Sequence, residues 1–145
     1  MRVVDPHRLF TIVNSAALAG WVLLWFAPRA RVTRRLVHSG LFSLLLAALY
    51  LAILAPNFDF GSFDDFNSLE GVMRLFQKPW VMLAGWVHYL AFDLWVGSWI
   101  VRDAEARQTS HWAVIPCLLA TLMFGPVGLL LYVALVRRAL PSGRA

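Results

Sequence analysis

The chain has 145 residues, of which 60% are hydrophobic and 14% charged, and its mean hydropathy is +0.66. This is too apolar for an ordinary soluble domain and predicts a single all-α, polytopic membrane domain over residues 1–145. The net charge of +5 lies mainly in inter-helix and terminal segments, which points to membrane topology and lipid contact and away from nucleic acid.

Four transmembrane helices are expected, with a short interfacial helix before the third. The first runs from about His7 to Ala27, with Pro6 at its first turn. Its apolar start, Leu9 to Val13, is too short for a signal-peptide core, so the helix is expected to be retained. Asn14 must look inward and bond a neighbouring helix, because lipid offers no hydrogen-bond partner. Pro28 ends the helix, and an arginine-rich link leads to Thr33 as the expected cap of helix two, from about Arg34 to Ala55. Ser39, Ser43 and Tyr50 lie on or near one face of it.

Pro56 to Ser68 reads as the one long loop. Its acids do not fit a calcium loop, since Gly61 is out of register with Asn57, Asp59 and Glu70. Phe58, Phe60, Phe63 and Phe66 predict a segment that dips into the membrane interface or covers an opening. Asn67 with Glu70 reads as a capping-box variant. The short amphipathic helix that follows is expected to carry Leu69, Val72, Met73 and Phe76 on its apolar side.

Helix three holds an apolar run from about Pro79 to Val101, long enough to cross a bilayer, and ends near Asp103. Helix four runs from His111 or Trp112 to Arg138. Pro126 is expected to kink it and to deprive the Leu122 carbonyl of its amide donor. Thr121, Gly125, Gly128 and Tyr132 share one face. Loops one–two and three–four carry six Lys or Arg and the opposite side seven, so the arginine cluster after helix one decides for N-out and C-out. The tail from Pro141 to Ala145 is expected to be loose.

Asp93 lies near the middle of helix three, where a charged group needs a partner or a functional reason. Gly85, His88, Tyr89, Phe92, Asp93 and Val96 fall within an arc of roughly 140°. An imidazole, a phenol and a carboxyl there can carry out acid–base chemistry on an apolar substrate. Equally, Asp93 can be a polar pin bonded to Tyr89 and to Asn14 or a serine. The four histidines lie at different depths of the predicted bundle, which argues against a histidine metal centre. Cys117 is the only cysteine, so neither a cysteine metal site nor an intramolecular disulfide is possible. No phosphate-binding loop occurs.

Trp86-Val87-His88, Asp93-Leu94 and Asp103 form one pattern. Cys117 with Gly125-Pro126-Val127-Gly128 forms a second, and Asn14, Pro28 and Thr33 a third. Together they resemble the abscisic-acid-deficient-four, or neoxanthin-synthase-like, family of membrane proteins over about residues 8 to 135. In plants that family is tied to forming neoxanthin from violaxanthin, an epoxide opening coupled to allene formation with no net redox change. The resemblance implies an isomerase-like, cofactor-free membrane enzyme acting on a carotenoid or other isoprenoid. His88, Asp93 and Tyr89 are then the candidate catalytic residues. Asn14, Trp86, Gly85, Thr121, Gly125 and Tyr132 are the candidate substrate contacts. The alternatives are a non-catalytic carotenoid- or lipid-binding accessory protein and, third, a metal-dependent carotenoid-cleaving oxygenase. Expected partners are membrane lipid and an apolar carotenoid-like ligand. A bacterial cytoplasmic membrane is the expected location, because no plastid transit peptide is recognisable.

Overall fold

The computed structural model describes residues 5–138, apart from the side chains of Phe60 and Ser62. The tail from Pro141, Arg2 and Arg144 lie outside the described residues. Six helices and a 3₁₀ segment account for most of the described chain, and no strand occurs among the described residues.

Helix α1, Pro6–Phe26, starts where the sequence places it, because the Asp5 carboxylate accepts from the His7 amide at 3.2 Å and Pro6 needs no amide partner at the first turn. Helix α2, Arg31–Asn57, starts earlier than expected. Thr33 does not cap it. Its buried hydroxyl donates to the Ala27 carbonyl at 2.6 Å and ties the arginine link to the end of α1. A π-helical turn at Arg34–His38 is followed by Gly40 with φ +80°, a conformation that favours glycine, and the helix bends there. The bend sets Gly40 directly beneath the Trp95 ring. By length and composition, α1 and α2 can each cross a membrane.

The expected long loop is largely a 3₁₀ segment, Phe60–Asn67, opened by the Asp59 side chain accepting from the Gly61 amide at 2.9 Å. Ser68, not Asn67, caps helix α3, Leu69–Phe76, and accepts from Gly71 at 3.1 Å. The buried side of α3 is Gly71 and Leu75, whereas Leu69 and Met73 face outward. Apolar residues on a helix at a lipid boundary do not by themselves mark its inner face.

Helix α4, Pro79–Ala106, has 28 residues and is the central element. Its buried residues, from Val81 to Ala104, pack against α1, α2 and the following helices.

The last part of the chain differs most from expectation. Helix α5, His111–Phe124, ends at Gly125, whose φ of +46° turns the chain back on itself. Helix α6, Pro126–Arg137, then returns along α5. Gly128 lies against the backbone at Thr121 and Cys117, which one continuous kinked helix would hold about two and three turns away. Tyr132 and Arg137 reach Asp103, near the end of α4 from which α5 set out. Pro126 therefore starts a returning helix rather than kinking a fourth crossing. At 14 residues, α5 is about 21 Å long, too short to match the length of α4.

The core follows this plan. At the arginine end of the bundle, Trp21, Leu24, Leu94, Ile100, Val114, Leu118 and Tyr132 pack together. At the loop end, Val13, Ala17, Leu46, Ile53, Ala84 and Val87 come from α1, α2 and α4 alone.

Candidate functional site

Five residues separate His88 from Asp93, which on a helix is about 140°. The structure uses that angle to point them at different neighbours. His88 faces α2, and Asp93 faces the tip of the α5–α6 hairpin.

The His88 ring stacks on Phe92 with centroids 4.7 Å apart and meets the Tyr50 ring edge-on at 5.5 Å. It opens into an apolar cavity of about 550 Å³ between α2 and α4. The far wall is an aromatic cluster in which Phe58 lies 5.5 Å from Phe63 and 5.9 Å from Phe66. The phenylalanine segment thus covers an opening, as its composition predicts; the Phe60 side chain lies outside the described residues. Gly85 lines the cavity, and a Cβ there would stand 2.6 Å from the Phe76 ring. No hydrogen bond involves the His88 ring nitrogens or the Tyr50 hydroxyl among the described residues. Tyr50, Phe63, Phe66 and Phe76 were not singled out as ligand contacts by the sequence. The polar stripe on helix two, ending at Tyr50, and the phenylalanine spacing were the available signals.

Asp93 is buried midway along α4, and its Oδ2 has no hydrogen-bond partner among the described residues. A Cβ at Gly125 would be only 2.9 Å from its Oδ1, so the hairpin tip sits against the carboxyl. Beside it, the Tyr89 hydroxyl donates to the Leu122 carbonyl at 3.1 Å. That carbonyl is the one Pro126 leaves without an amide donor. Asn14 does not reach Asp93. It accepts from the Trp86 indole at 2.9 Å and joins α1 to α4.

The remaining expected ligand contacts serve internal bonds. The buried Thr121 hydroxyl donates to the Cys117 carbonyl at 2.8 Å, and Tyr132 donates to Asp103 Oδ2 at 2.7 Å. Of the nine candidate residues, only Gly85 and His88 line the aromatic cavity. The histidines are dispersed. His38 bridges Ser98 and the Pro28 carbonyl, both at 3.0 Å, and His111 bonds the Trp25 carbonyl at 2.9 Å. Among the described residues, no three His, Cys, Asp or Glu side chains cluster as a metal site.

At the arginine end, Asp103 lies beyond the apolar run, accepts from Arg107 at 2.8 Å and forms an ion pair with Arg137 at 3.3 Å. Burial works against its charge, but the Tyr132 hydroxyl and the two guanidinium groups outweigh that and hold its pKa below the ordinary carboxylate value.

The model of the ABA DEFICIENT 4-like family matches residues 8–132. The chain belongs to the ABA DEFICIENT 4-like family. A relative within it, Protein ABA DEFICIENT 4, chloroplastic, from Arabidopsis thaliana, is 27% identical over 130 residues. That alignment covers 83% of this chain and 57% of the relative, so the chain spans little more than half the relative's length. No solved structure matches. The family match includes α1, α2, α4 and the hairpin tip, and so takes in both His88 and Asp93.

Proposed function

We propose that this chain is an integral membrane protein that binds a carotenoid or related isoprenoid beside His88 and isomerises it by acid–base chemistry without a cofactor. Membership of the ABA DEFICIENT 4-like family supports the substrate class, through the neoxanthin-synthase-like chemistry that the sequence resemblance implies. The observation that carries the reading is an imidazole set in an aromatic cavity, with no hydrogen bond of its own among the described residues. In this reading α1, α2 and α4 cross the bilayer, and the α5–α6 hairpin enters it from the arginine end and leaves on the same side. A bacterial cytoplasmic membrane is the proposed host.

His88 is the proposed catalytic residue, because it faces the cavity. Opening an epoxide to an allenic alcohol breaks one C–H and one C–O bond and forms one O–H bond. No electrons are gained or lost. A neutral imidazole can take the carbon-bound proton on one nitrogen, and the Tyr50 hydroxyl is near enough to His88 to help deliver one to oxygen. Asp93 and Tyr89 act in this proposal by holding the hairpin against α4, on the other side of the helix from the cavity.

One observation favours a second reading, a carotenoid-binding accessory protein. The imidazole faces the aromatic cavity and the carboxyl faces the hairpin tip, which supports a binding role over a paired acid and base. The experiment that separates the two readings is His88→Gln in cells supplied with violaxanthin. Loss of a general base should lower pigment conversion by about 10²–10⁴-fold while the protein inserts and purifies normally. Full conversion by the variant sinks the enzymatic reading in favour of the accessory protein.

A further inference from the structure

The seam that holds the aromatic cavity does not end at His88. Phe92, stacked on the His88 ring, is also a wall of a second hollow of about 240 Å³ on the same seam between α2 and α4. That hollow is floored by Ala47 and Ala91 and closed at its far end by Trp95, whose ring lies over the bend at Gly40. The residues that line both spaces recur every three or four positions. On α2 they run from Leu54 back to Ser43, and on α4 from Val81 to Trp95. Cavity and hollow follow one another along this seam without a lining residue in common, and the stacked His88 and Phe92 rings stand between them. Fourteen residues of α4 make the seam about 20 Å long.

One polar group lines the far part. Ser43 is only 7% exposed, and its hydroxyl makes no hydrogen bond among the described residues. That hydroxyl is free to bond an oxygen brought by a ligand, and in lipid no water is at hand to take its place.

We infer that cavity and hollow join over the His88 and Phe92 rings into one trough, a track for a long, flat polyene. One ring of the ligand sits in the aromatic cavity beside His88, the conjugated chain lies over Ala47 and Ala91, and Ser43 hydrogen-bonds an oxygen on the ligand's far portion. The inference rests on the reading that the cavity holds an isoprenoid. It adds that the site selects by chain length and binds from the lipid-facing side of the bundle. Small residues on the floor let a flat chain approach both helices, and the aromatic walls match a conjugated surface.

The test uses the purified full chain in nanodiscs, with tryptophan fluorescence quenching to measure binding of two probes. β-Ionone supplies a ring with a short tail, and zeaxanthin a full-length dihydroxylated polyene. Ala47→Trp should fill the middle of the trough, weaken zeaxanthin binding at least tenfold and leave β-ionone binding unchanged. Ser43→Ala should weaken zeaxanthin binding but not that of β-carotene, which has no oxygen. Ala47 is exposed on the helix surface, so the larger side chain does not disturb the core. If β-ionone binds and zeaxanthin is indifferent to Ala47→Trp, the track is wrong while the cavity reading stands. If the wild-type protein binds neither probe, the cavity reading falls and takes the track with it. Displacement of zeaxanthin by stearic acid at equal concentration would assign the trough to a lipid acyl chain and overturn the polyene assignment.

Discussion

Asp103 accepts from Tyr132 and Arg107 and pairs with the Arg137 charge, and through Tyr132 and Arg137 it fastens the returning helix α6 to α4. Replacing it with Asn removes charge-assisted bonds worth about 1.5–3 kcal/mol, to be read as a lower unfolding midpoint in detergent. The sign of the pH effect follows from its lowered pKa. Its contribution is complete above the unfolded carboxylate pKa of about 3.9 and is lost as the pH falls through the lower folded value. Asp103→Asn should therefore flatten the acid side of the stability profile, and an unchanged acid slope would show that other carboxylates set it. At this scale much of the structure was legible. Asn14 had to find a partner on another helix, and finds Trp86. The Leu122 carbonyl had to lose its amide donor, and takes the Tyr89 hydroxyl instead. The division between His88 and Asp93 was legible only in part. Their spacing put them at opposite edges of one arc, but which neighbour each edge would meet depended on where α5 and α6 went.

The α5–α6 hairpin is the element that periodicity could not reveal. A proline in an apolar run is compatible with a kink or with a reversal, because both free the same carbonyl and both keep the flanking turns helical. What decides is a contact between Gly128 and the α5 backbone, together with a backbone angle that few residues other than glycine adopt. The same limit explains α3, where apolar side chains on both faces concealed the buried one. Gly125→Ala tests the tip directly. The added methyl group meets both a φ of +46° and the Asp93 carboxyl, so a loss of about 1–3 kcal/mol is expected in thermal unfolding. A variant as stable as the parent would mean that the tip does not press on Asp93.

The reversal also redraws the charge map of the whole molecule. Arg137 and Arg138 move to the end that already holds Arg29, Arg31, Arg34, Arg35, Arg102 and Arg107, leaving Arg8, Arg74 and Lys78 at the loop end among the described residues. The near tie counted along the sequence becomes a strong bias, and the arginine end is predicted to be cytoplasmic. The N-terminus then lies outside and Arg138 inside, which reverses the C-out expectation. A C-terminal reporter that works only in the cytoplasm should give signal, and one that works only outside should stay silent. The opposite pattern would overturn this sidedness. In the proposed topology, three crossings and a hairpin that goes only partway set Asp5 and Arg138 on opposite sides. A head-to-tail gene duplication of this chain would therefore set its second copy upside down. The fused halves would present their troughs in opposite leaflets, and only a linker with one further span would keep them parallel.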